Sequence, residues 1–204
     1  MTNKYKILTT LLLASCSLSL YGGTIVGSKH DLANNGWGTT ETCKFCHTPH
    51  FAVGIVDAPL WNRQVSVATY TLYASPSFKG ARTQTQPSTS SKLCLGCHDG
   101  TIAVDSYAGA QGSHFITATN TIGGESRLSS DHPISFEYNA ALVRDNRTLA
   151  SPVSAKFVDA DHTLPLYDGK LECASCHEPH DPEQSKFLRM NNGTSALCLK
   201  CHLK

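Results

Sequence analysis

Four pentapeptides of one pattern dominate the chemistry available to this chain: Cys43-Lys44-Phe45-Cys46-His47, Cys94-Leu95-Gly96-Cys97-His98, Cys173-Ala174-Ser175-Cys176-His177 and Cys198-Leu199-Lys200-Cys201-His202. They take eight of the nine cysteines. Cys-x-x-Cys-His is the attachment signature of a c-type haem. The two thiols (Cys43 and Cys46, Cys94 and Cys97, Cys173 and Cys176, Cys198 and Cys201) add to the haem vinyl groups as thioethers. The adjacent histidine, here His47, His98, His177 or His202, gives the iron its proximal nitrogen. Cys-x-x-Cys pairs also hold zinc, but a histidine directly after every pair favours haem. Four c-type haems are therefore expected.

The motifs come as two related pairs. Cys43–His50 and Cys173–His180 share the pattern CxxCHxPH, and Ser91–His98 matches Ser195–His202 at six of eight positions. The chain reads as an internal duplication of haem pairs, 43–98 and 173–202, with a long interval in the first half and a short one in the second.

Six histidines remain to close the irons: His30, His50, His114, His132, His162 and His180. The methionines are Met1 and Met190, and Met1 lies in the leader, so His/Met ligation fails for at least three haems. Bis-histidine iron is the coherent choice and gives low potentials relative to His/Met sites. A six-coordinate iron has no open position for substrate, so catalysis is not expected. His50 and His180 each follow a proximal histidine by three residues and lie on nearly the same side of the turn. They should therefore ligate a neighbouring haem. His132 sits in a compact turn beside apolar residues, His30 near the mature N-terminus, and His162 at a similar offset before the third motif. His114, amid Gly112 and Ser113, is expected to be solvated.

These groups must be positioned by modest elements. Each motif should start a short helix, because two cysteines and a histidine must converge within about one turn, and Pro49 and Pro179 stop those turns early. Gly123-Gly124, Ser75-Pro76 and Ser151-Pro152 are turn signals. The segments 69–73, 115–119 and 134–138 have strand character. The expected fold is a multihaem c-type cytochrome: mostly irregular coil with short α-helices at the haem motifs and a few short strands, packed around four haems that stand in for a larger core.

Residues 1–22 read as a signal peptide, with Lys4 and Lys6 before an apolar run. A candidate lipobox ends at Cys16, and simple removal of the leader competes with lipidation there. Residues 23–204 then form the tetrahaem domain. Without Lys4 and Lys6, 15 basic residues face 16 acidic ones, and eight haem propionates would bring the net charge to roughly −9. Nucleic-acid partners are disfavoured by that sign.

Several segments together resemble the tetrahaem outer-surface cytochromes of the OmcE type. They are Ile25–Leu32, the blocks Phe45–His50 and Cys94–Gly100, Asp131–Phe136, and Glu172–His180. The resemblance spans the whole mature chain. It implies extracellular electron transfer by a polymeric cytochrome filament of a Gram-negative bacterium, exported to the cell exterior or outer-membrane surface. It also implies His30, His50, His132 and His180 as the four distal ligands, which demotes His162. The expected partners are further copies of the chain, other multihaem cytochromes and extracellular electron acceptors. His30 is expected to be donated to a neighbouring subunit in a head-to-tail contact of open symmetry, since the fourth motif ends two residues before the last residue. The alternatives are a soluble or lipid-anchored tetrahaem shuttle and, further off, a multihaem reductase.

Overall fold

A computed structural model describes residues 24–118, 121–123 and 127–204. The segment 1–22 predicted as a signal peptide, Cys16 and Gly124 lie outside the described residues, as does Thr119 at the end of the 115–119 segment.

Irregular chain predominates, as expected from the density of Gly, Pro, Ser and Asn. The helices are α1 (Thr89–His98), α2 (Ala140–Asp145) and α3 (Cys173–Cys176), with 3-10 turns that include Leu32–Asn35, Thr42–Phe45 and Cys198–Lys200. Four two-residue strands make two small sheets. β1 (Thr71–Leu72) runs parallel to β2 (Arg127–Leu128), and β3 (Phe136–Glu137) runs antiparallel to β4 (Lys170–Leu171). β1 and β3 fall within two of the three expected segments, β2 and β4 lie outside all of them, and residues 115–118 form no strand. No helix among the described residues is long and apolar enough to cross a membrane.

Three motifs sit in helical turns opened at or next to their first cysteine. The second does not: Cys94–His98 closes α1 instead of starting it. The reason lies upstream, where Ser88, extended just before the helix, donates its N–H to Ser135 Oγ at 3.0 Å. The helix thus begins well before the cysteines. Downstream, Asp99 fixes the end of α1. Its carboxylate accepts bonds from Tyr70 Oη, from Ser66 Oγ (3.3 Å), and from the Thr101 N–H (2.7 Å) and hydroxyl (2.6 Å).

The main core is formed by Phe136, Tyr138, Leu142, Leu149, Val158, Leu164, Leu166 and Leu171, against which Leu197 and Cys201 pack. α2 stays in register because the Asn139 side chain accepts the Leu142 N–H at 3.0 Å, a capping bond that typically stabilises by about 1 kcal/mol. The fourth motif docks on this core through its backbone. Ala150 N donates to Cys201 O and Leu203 N to Thr148 O, both at 2.7 Å. A second, smaller cluster of Tyr70, Leu95 and Leu128 lies under α1.

Candidate metal centres

The first and third motifs are built alike. His47 N donates to Cys43 O (2.8 Å) and His177 N to Cys173 O (3.1 Å), closing each pentapeptide into one turn. A returning strand of chain then clamps each turn by equivalent bonds. Thr48 N donates to Leu60 O and Asn62 N to Cys46 O in the first, and Glu178 N to Phe187 O and Arg189 N to Cys176 O in the second. The side chains follow suit: Asn62 Nδ2 reaches Lys44 O and Arg189 Nε reaches Ala174 O, both at 2.7 Å. Leu60 and Phe187 hold the same left-handed backbone, with φ of 59° and 56°.

These clamps orient the proximal rings. His47 Nδ1 bonds Pro59 O at 2.8 Å and His177 Nδ1 bonds Lys186 O at 2.9 Å. His30 Nδ1 to Pro179 O (3.1 Å), His132 Nδ1 to Pro133 O (2.9 Å) and His180 Nδ1 to Glu178 Oε1 (3.2 Å) repeat the arrangement. A ring that donates from Nδ1 keeps Nε2 unprotonated and ready for a metal, with its tautomer and plane fixed by the outer partner.

Three histidine pairs then face one another. The ring centroids of His47 and His180 are 6.1 Å apart, those of His30 and His98 6.2 Å, and those of His132 and His202 6.3 Å. Two imidazoles on opposite sides of one ion, each at a metal–nitrogen distance of about 2.0 Å, have centroids about 6.3 Å apart. The three pairs match that separation. His98 and His202 are each held below the ordinary imidazole value by burial first. Their partners His30 and His132 then lower them further, which favours the neutral, ligating form.

Among the described residues, His50 and His177 form no such ring pair, and both are exposed. They flank the His47/His180 pair: His50 follows His47, and His177 precedes His180, by three residues each. His162 is exposed and stacks on Phe157 at 4.3 Å, with no second imidazole against it. His114, expected to be solvated, is exposed and also held in place. Its ring stacks on Trp37 at 4.7 Å and bonds Asp105 Oδ2 at 2.7 Å.

His30 lies beside His98 of its own chain and stacks on Phe187 at 4.3 Å. The physical cause is Asp31. This 6% exposed carboxylate accepts Gly27 N (2.7 Å), Asn34 Nδ2 (2.8 Å) and Thr42 Oγ1 (3.0 Å), which ties the N-terminal arm to the first motif. Those bonds, led by the one from Gly27, hold the Asp31 carboxyl below its ordinary value.

The cysteine sulfurs stand close from motif to motif. The Cys46 thiol, pushed up to about 11 mainly by burial, also feels Arg63 and Cys97. The neighbouring Cys173 thiol and burial push the Cys94 thiol well above its ordinary value. Burial likewise pushes Cys176 up to about 11, with Cys201 and Cys198 among its neighbours.

A family model described as the doubled CXXCH motif matches residues 165–204, which contain the third and fourth pentapeptides. That match indicates a multihaem c-type cytochrome-like protein. Its paired CXXCH motifs indicate covalently bound c-type haem, and the function they support is haem-based electron transfer. No curated protein matches the chain. In such a cytochrome the thiols described above become thioether sulfurs, and the iron supplies one-electron chemistry between its ferric and ferrous states.

Two buried polar residues had no signal in the motifs. Arg63 is 4% exposed and donates to Phe45 O (3.2 Å), Val104 O (3.0 Å), Ala103 O (2.7 Å) and Cys97 Sγ (3.2 Å). Glu172, 2% exposed, accepts from Ser91 Oγ at 2.5 Å and Ser135 Oγ at 2.7 Å. Burial raises its carboxyl against the pull of those bonds. Only the equivalence of backbone bonds around the two clamps exposes what each residue replaces in the other half.

Proposed function

We propose that the protein carries electrons through four closely spaced bis-histidine c-type haems and catalyses no reaction on a substrate. The carrying observation is the set of three imidazole pairs at 6.1 to 6.3 Å, each with its outer hydrogen bonds directed to Nδ1 where these are formed. In this reading His47 pairs with His180, His98 with His30, and His202 with His132. The fourth pair is His177 with His50. The segments 47–50 and 177–180 have the same spacing, and exchange of distal ligands between them satisfies both irons once His47 has taken His180. The residues' own work is to hold the rings, fix their tautomers and keep water from the irons.

The chain is further proposed to act outside the cell as the subunit of a cytochrome filament that delivers electrons to extracellular acceptors. That part rests on the resemblance to OmcE-type cytochromes. With His30 seated against His98, donation of His30 to a neighbour requires the arm around Asp31 to exchange between copies. Such an exchange would build a heterologous, non-closing contact from groups that already fit one another.

Haem quantitation by mass and visible spectrum, followed by electron cryomicroscopy of the native holoprotein, tests both parts. Four haems with two histidines each, in continuous filaments, are the expected result. Single particles with four haems would leave the shuttle reading and remove the filament. A five-coordinate haem that binds nitrite would favour a reductase.

A further inference from the structure

The two halves differ in buried charge where their backbones are the same. In the first half the clamp carries Asn62 followed by Arg63. In the second, the residues at the same positions are Arg189 and Met190, as the equivalent bonds of Asn62 and Arg189 establish. Arg189 is neutralised by Glu178 at 3.0 Å. Arg63 has no carboxylate within ion-pair distance among the described residues. Four of its N–H donors go to three carbonyls and to Cys97 Sγ. With Nε alone left over, it is not arranged to clamp a propionate.

A guanidinium keeps its full charge when buried, and at low dielectric such a charge acts strongly on its neighbours. The neighbours here are the first two haem motifs. Arg63 Nη1 lies 3.2 Å from Phe45 O inside the first motif, and Nη2 lies 3.2 Å from Cys97 Sγ in the second. The buried carboxylate of Asp99, directly after His98, stands beside the second motif and not the first. On the other side the buried Glu172 directly precedes Cys173, and Ser91 Oγ of α1 joins the two, donating to Glu172 Oε2 and accepting the Cys173 N–H at 3.2 Å. Thr42 holds the matching place before Cys43.

We propose that Arg63 is a potential-setting residue, whose unpaired buried charge makes the haem on Cys43 and Cys46 more readily reduced than the haem on Cys173 and Cys176 and so gives electron flow a direction, from the third motif toward the first. This rests on the haem reading above. The step it biases is the uptake of one electron by ferric iron to give ferrous iron, the electron coming from an external one-electron donor. Reduction adds one negative charge to the centre, and a fixed nearby cation stabilises the product. The haem on Cys94 and Cys97, between Arg63 and Glu172, should fall between these two.

The test is a stepwise reduction of the holoprotein with dithionite, followed by NMR signals assigned to each haem through its axial histidines. Haem content is measured first. Fewer than four haems would count against the haem reading, not against this inference. With four present, the His47 haem should reduce before the His177 haem. The reverse order in the wild-type protein would overturn the proposal whatever the variants do. Arg63→Gln should lower the potentials of the His47 and His98 haems and leave those of His177 and His202 in place, while Arg63→Lys should keep them near wild type. Equal losses in the Gln and Lys variants would assign the effect to the hydrogen bonds rather than the charge and sink the idea.

Discussion

His47 and His180 come from opposite halves of the chain, yet their rings face each other with centroids 6.1 Å apart and planes at 27°. Neither could have met its partner through local structure. The distance is set by the two clamps that hold His47 and His177, and by Glu178, whose carboxylate bonds both His180 and Arg189. An iron between these rings would link the halves covalently and by coordination at once.

Removal of one member of that pair should open one iron. In His180→Ala, one haem should lose its sixth ligand, turn high-spin in the oxidised state and bind carbon monoxide when reduced. His162→Ala should change neither property, since His162 only stacks on Phe157. Visible spectra before and after carbon monoxide read both outcomes. A carbon-monoxide-inert His180→Ala protein with full haem content would refute the pairing.

The angles between ring planes should be visible in the ferric protein. Near-parallel axial imidazoles act on the same iron d orbital and separate it from its partner, while near-perpendicular ones leave the two nearly degenerate. His47/His180 lies at 27°, whereas His30/His98 lies at 67° and His132/His202 at 82°. Low-temperature electron paramagnetic resonance should therefore give one rhombic low-spin signal from the first pair and two strongly anisotropic ones. A spectrum in which all low-spin centres were rhombic would contradict these ring orientations.

What could be read from the sequence followed covalent chemistry. CxxCH announces its cofactor by residue type and spacing alone, and the repeat of HxPH pointed to ligands exchanged between haems. Element boundaries were less legible where a contact far away in sequence decides them. α1 reaches back to Thr89 because Ser88 finds Ser135, and no local pattern reports that. The partners of the exposed His114, Trp37 and Asp105, were likewise not legible, because they come from other segments. The bonds that tie the His30 arm to the first motif converge on one carboxylate, Asp31, which no local pattern announces. Arg63 was invisible for a different reason. The clamps share backbone geometry but almost no residue identities, so their one consequential difference could not be aligned.

The protein core away from the motifs should carry ordinary packing energy. Leu164 is 1% exposed within the main cluster, and its backbone bonds both Val158 and Asp159. Leu164→Ala should cost about 2–5 kcal/mol, measured as a lower denaturant midpoint of the holoprotein. Because the cluster touches the fourth motif through Leu197 and Cys201, the haem held there should become solvent-accessible first. A loss within experimental error would mean that the haems, not this cluster, hold the second half together.

Acid should release the 105–114 loop in a defined window. Burial alone would raise the Asp105 carboxyl, but the bonds from the His114 ring and from the His114 and Ser113 N–H groups outweigh it and hold the carboxyl at about 2. A carboxyl depressed in the folded protein stabilises it fully above the unfolded value, about 3.9. That contribution is lost as pH falls from there through about 2. Asp105→Asn removes the titrating group, so the melting temperature of the variant should lie below wild type at pH 6 and converge on it as the pH approaches 2. The stacking of His114 on Trp37 supplies a local reporter, since the Trp37 indole resonance should shift over the same window in wild type alone. A difference in melting temperature that stayed constant from pH 6 to pH 2 would show that Asp105 contributes through packing rather than through its charge.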